Sequence, residues 1–129
     1  MMGALAENEL VRAYIGTISY NLLATLAIEI PLALALGVRG RKNVRTVFEV
    51  NCLTNPIVVT ILFWLVRTSL CVPLVRGILF LMECIVVWTE GILYKKKLTD
   101  APMNPFKMSL ILNAVSYGTG VVLELISAL

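Results

Sequence analysis

Hydrophobic positions in this chain run in long unbroken blocks instead of alternating or recurring on one face. Apolar residues dominate Tyr14–Val38, Val47–Val66, Val75–Tyr94 and Lys107–Ala128, and most basic residues gather between these blocks. Crossing a hydrocarbon core takes about 20 mostly apolar residues in helical form, so each block is long enough to span. The pattern predicts an all-α membrane protein with four transmembrane helices joined by short connections, residues 1–129 forming a single integral membrane domain. One such block would also suit a buried helix of a water-soluble domain. Four would need a polar shell that 129 residues do not supply. Composition agrees: 59% hydrophobic residues, 15% charged residues and a mean hydropathy of +0.89 lie well outside the soluble range.

Charge changes the picture through its distribution. The net charge is +3, yet eight of the 11 basic residues fall in two connections. Arg39, Arg41, Lys42 and Arg45 follow the first block, and Lys95, Lys96, Lys97 and Lys107 follow the third. The opposite side holds only Arg12, Arg67 and Arg76. Because basic connections stay cytoplasmic, the expected arrangement in a cell membrane has both basic connections inside and both termini outside. Positive charge is then a topology signal, and no nucleic-acid partner is expected. The Met1–Leu10 stretch carries Glu7 and Glu9 and no basic leader, so the first block is expected to remain as a helix. Membrane lipid is the expected surrounding, with a second copy or another membrane protein as partner.

Histidine is absent, and Cys52, Cys71 and Cys84 lack the short spacing of zinc ligands. Zinc, histidine-ligated haem and Ser-His catalysis are disfavoured, and no cofactor is expected. Cys52 and Cys84 read as small apolar residues within helices.

Candidate chemistry lies in the polar residues inside the blocks, above all Glu29, Asn51, Glu90 and Asn113. Hydrocarbon charges several kcal/mol for such groups, roughly, which makes them functional suspects. The two halves, 14–66 and 75–128, also resemble one another. Glu29 precedes a basic connection and then Asn51, 22 residues on; Glu90 precedes the other and then Asn113, 23 residues on. The alignment sets Thr54 on Ser116 and Pro56 on Gly118. It predicts two parallel two-helix repeats, since each half crosses twice, and it brings the four residues to similar depth.

Helical spacing extends the site. Asn51, Thr54 and Asn55 share a face at i, i+3, i+4, and Asn113, Ser116, Tyr117, Gly120 and Glu124 continue along another. Arg76, Glu83, Glu90 and Lys97 recur every seven residues in the third block. The expected proton- or substrate-binding set is Glu29, Asn51, Thr54, Asn55, Glu83, Glu90, Asn113 and Ser116, with Glu124 toward the outer end. Pro31 and Pro56 free the carbonyls of Ala27 and Cys52 next to this set, or simply kink their helices. Ala114 with Gly118, and Ser116 with Gly120, form small-residue pairs suited to close helix packing.

These features lead to a transporter or channel component that handles protons, a small cation or a small polar solute. A nontransporting assembly or partner-binding subunit is the alternative. Carboxyls alone, with no nucleophile-base pair or phosphate loop, do not suggest an enzyme.

Overall fold

A computed structural model describes residues 2–129, with side chains described from Leu5 onward. The leader reading of Met1–Leu10 therefore rests partly on Met1, which lies outside the described residues. Among the described residues there are four helices, which make the structure 84% helical, each long and apolar enough to span a membrane. It is an all-α multi-pass membrane protein, with helices α1 (Met2–Ala35), α2 (Arg41–Leu65), α3 (Val72–Lys97) and α4 (Pro105–Ser127). Helix α1 starts well before the apolar block does, because Ala, Leu, Glu and Arg between Leu5 and Ala13 all favour helix, while Glu7, Glu9 and Arg12 keep this stretch out of the apolar block.

The ends of the helices follow from local chemistry. Helix α1 stops in a Schellman turn: Gly37 adopts φ 105°, Val38 N donates to Ala33 O at 3.0 Å and Gly37 N donates to Leu34 O at 3.1 Å. This turn tucks Val38 into the core, where it is 1% exposed. Helix α3 ends on Lys95, Lys96 and Lys97, whose charges suit the negative end of the helix dipole. Asn104 caps α4, accepting from Phe106 N at 2.9 Å, and Pro105 follows at the first helical position, where its missing N–H costs nothing.

Each helix packs on two neighbours, so the bundle closes through α1–α2, α2–α3, α3–α4 and α4–α1. Contacts are most extensive within the α1–α2 and α3–α4 hairpins. One buried apolar cluster, of Ala33, Val38, Val47, Val50, Tyr94, Met108 and Leu112, lies at the end carrying the basic connections, and Leu26, Val58, Val59 and Phe63 are buried outside it. Toward the other end α4 is exposed from Val121 onward. At that end α1 and α2 remain joined by Tyr14, whose hydroxyl lies 2.8 Å from Thr60 Oγ1 and whose ring meets Phe63 edge-on.

The small-residue pairs of α4 do not mediate packing within the chain. A Cβ added at Gly118 or Gly120 would meet nothing within 4 Å, and Ala114 is exposed. Close approach occurs instead at Gly91, where a Cβ would fall 2.3 Å from the Phe106 ring. Gly91 sits on the α3 face turned toward the start of α4, whereas Gly118 and Gly120 lie on the part of α4 beyond the packed end.

Candidate functional site

Immediately next to the apolar cluster, the four helices bring together a layer of buried polar side chains. Glu29 is 0% exposed, Glu90 and Asn51 1%, Ser109 0% and Thr54 7%. Asn51 Nδ2 donates to Glu29 Oε2 at 2.8 Å, joining α2 to α1. Asn113 Nδ2 donates to Glu90 Oε2 at 2.5 Å, joining α4 to α3. Thr54 Oγ1 lies 2.6 Å from Glu90 Oε1 and so connects the two pairs, while Ser109 Oγ lies 3.3 Å from Glu90 Oε2. Each amide also donates to the carbonyl one turn before it, Asn51 to Val47 O and Asn113 to Ser109 O, which fixes its orientation.

The two pairs differ in how well they are satisfied. Both oxygens of Glu90 have hydrogen-bonding neighbours, whereas Glu29 Oε1 has none among the described residues. Tyr94, one turn beyond Glu90 and fully buried, likewise leaves its hydroxyl without a protein partner. Neither carboxyl meets a cation: the ion pairs among the described residues are those of Glu49 with Arg45 at 2.7 Å and with Lys97 at 3.9 Å, both on the surface. No group of three or more His, Cys, Asp or Glu side chains among the described residues is arranged to hold a metal.

Some residues expected in the site lie outside this network. Asn55 is half-buried and points to α1, donating to Thr25 Oγ1 at 3.0 Å. Glu83 is half-buried two turns from Glu90, and Ser116 is half-buried; neither side chain hydrogen-bonds among the described residues. Tyr117, Gly120 and Glu124 are exposed, so the polar stripe of α4 leaves the interior after Asn113. The outer half of α4 is exposed all round from Val121 onward, so the face that points inward in the packed half has few neighbours beyond it. Ser109 and Tyr94 were missed, although i−4 from Asn113 and i+4 from Glu90 put them on the same helix faces.

Thr54 also borders a groove of about 320 Å³ between α2 and α3 that runs from Thr54 and Thr89 to Ile61 and Met82. Its walls are apolar, with Ile57, Val58, Ile85 and Val86 between those ends. No family model, curated protein or solved structure matches the chain. The chemistry of the cluster thus rests on its own residues: two carboxyls, two amides and two hydroxyls, with carboxylate and hydroxyl oxygens able to hold protons or ligate a hard cation.

Proposed function

We propose that this protein is a small transporter or channel component which passes protons, a small cation or a small polar solute through the Glu29–Asn51 and Glu90–Asn113 cluster at membrane depth. The observation that carries this reading is the burial of two carboxyls among neutral groups. Two uncompensated negative charges in such a setting cost several kcal/mol, roughly. The cluster stays near neutrality by holding protons or by taking up a cation, and exchange between these states is the elementary step of coupled transport. The matching Glu–Asn pairs support an origin in two parallel repeats, with the second Glu–Asn bond repeating the first. Joining of the two basic connections at one end by Asn43 supports both lying in the cytoplasm and both termini outside the cell membrane.

Purified protein reconstituted in sealed vesicles tests the reading. Proton or ion flux should exceed that of empty vesicles and fall in Glu90→Gln. Folded protein that shows no flux across a panel of monovalent ions and small polar solutes would remove it.

A second reading, a nontransporting assembly subunit, is supported by the small-residue face of α4, where Ala114 and Gly120 are exposed and a Cβ added at Gly118 or Gly120 would meet nothing within 4 Å. In that case the buried acids serve to hold the bundle together, and the α4 face meets a helix of another membrane protein. Stability that depends on a co-purifying membrane protein, without solute-dependent stabilisation, would favour it.

A further inference from the structure

The two hydroxyls beside Glu90 each have more acceptors than protons. Thr54 Oγ1 lies 2.6 Å from Glu90 Oε1 and 3.0 Å from Val50 O. Ser109 Oγ lies 3.3 Å from Glu90 Oε2 and 3.0 Å from Val87 O. A hydroxyl carries one proton and can also accept, so each side chain has two arrangements related by rotation about its C–O bond. The amide of Asn113 has no such freedom, because its Nδ2 can only donate, and it holds Glu90 Oε2 at 2.5 Å.

We propose that Glu90 is the proton-exchanging group of the cluster, that its proton resides on Oε1, and that the Thr54 hydroxyl reverses its hydrogen bond when the proton arrives. With Glu90 ionised, Thr54 donates to Oε1. When Glu90 takes a proton from water, an O–H bond forms at Oε1 and one breaks in the donor. The new O–H donates to Thr54 Oγ1, and Thr54 turns its own proton to Val50 O. Oε2 keeps the Asn113 N–H in both states, which directs the proton to Oε1. No heavy atom has to move, and neither state leaves these groups without partners. Glu29 lacks such an arrangement: Asn51 satisfies one oxygen, and no hydroxyl stands at hydrogen-bonding distance from the other.

The inference rests on the transport reading only for its purpose, and it names the proton as the ligand. Titratable groups near enough to act on the charge of Glu90 are Glu29 of α1 and, on its own helix, Glu83 and Tyr94. Helices α2 and α4 present the neutral Thr54, Ser109 and Asn113. Thr54 also lines the apolar α2–α3 groove.

Infrared titration of the full chain in lipid nanodiscs tests it through the carboxylic C=O stretch, with helical content checked for every variant. Wild-type protein should show a buried band that gains intensity on acidification and shifts in D₂O. The band should persist in Glu29→Gln, disappear in Glu90→Gln, change frequency and midpoint in Thr54→Val, and return to wild-type behaviour in Thr54→Ser. If Glu90→Gln does not fold, Glu29→Gln and the two Thr54 variants still decide the assignment. Loss of the band in Glu29→Gln, or a Thr54→Val titration identical to wild type, overturns the proposal. A titrating band in protein without flux would overturn the transport reading and leave this one standing.

Discussion

Asn43 grips Thr99 with both ends of its amide: Nδ2 donates to Thr99 O at 2.6 Å, and Oδ1 accepts from Thr99 N at 3.0 Å and Thr99 Oγ1 at 3.1 Å. The same Nδ2 donates to Arg39 O at 2.9 Å. One side chain at the start of α2 therefore fastens the connection before it to the connection between α3 and α4. Gly37 packs under the second connection, where an added Cβ would lie 3.1 Å from Pro102.

Replacing Asn43 by Leu should lower stability by about 1–3 kcal/mol, because backbone groups of Thr99 and Arg39 lose their partners in a partly buried place. Thermal unfolding in detergent measures the loss. Asn43→Asp should recover part of it, since a carboxylate can still accept from Thr99 N and Oγ1. Equal stability of Asn43→Leu and wild type would show that the clasp contributes nothing.

Gly91→Ala sets two effects against each other. Alanine gains about 1 kcal/mol of helix propensity over glycine, but overpacking costs about 1–3 kcal/mol, and the added methyl would lie 2.3 Å from a ring atom of Phe106. Net destabilisation is expected. In a Phe106→Leu background the same substitution should become neutral or stabilising, and a double-mutant cycle on unfolding midpoints reads the difference.

Thr54→Val and Asn113→Leu should each destabilise by about 1–3 kcal/mol, because each removes a hydrogen-bonding neighbour from a buried oxygen of Glu90. Since both act on one carboxyl, their effects should depart from additivity by about 0.5 kcal/mol or more. Strict additivity would mean that the two contacts are independent of each other.

Cys71, exposed at the start of α3 and opposite the basic end, offers a natural test of orientation. A membrane-impermeant maleimide added to sealed cells should label Cys71. A cysteine introduced at Lys96 in a Cys71→Ser background should react only after permeabilisation. The reverse pattern would invert the assigned orientation.

Much of the architecture was legible in the chain because the signal was crude: blocks of apolar residues, separated by charge, leave few alternatives to four spans. The similar depth of Glu29, Asn51, Glu90 and Asn113 was also visible, since adjacent antiparallel helices bring residues equally far from their connection to the same level. Which neighbours lie just outside that level was harder to read. Asn55 and Ser116 have polar side chains on suitable faces, but a helix face says nothing about how far along its axis the neighbouring helices stay close. Gly91 carried no distinguishing spacing, since only the position of Phe106 gives its missing side chain a purpose. The Asn43–Thr99 clasp joins residues 56 apart in short connections, where no periodicity applies.

Concentration of the buried core at one end also gives the molecule a mechanical polarity. The Schellman turn, the Asn43 clasp and the apolar cluster make that end a fulcrum, and the helices extend from it as arms of unequal restraint. α1 and α2 are tied again near their far ends through Tyr14 and Thr60, whereas the outer half of α4 has no such tie. Because the carboxyl layer sits beside the packed end, the Glu90 hydrogen bonds belong to the restrained part of the molecule, and the outer half of α4 presents its surface apart from them.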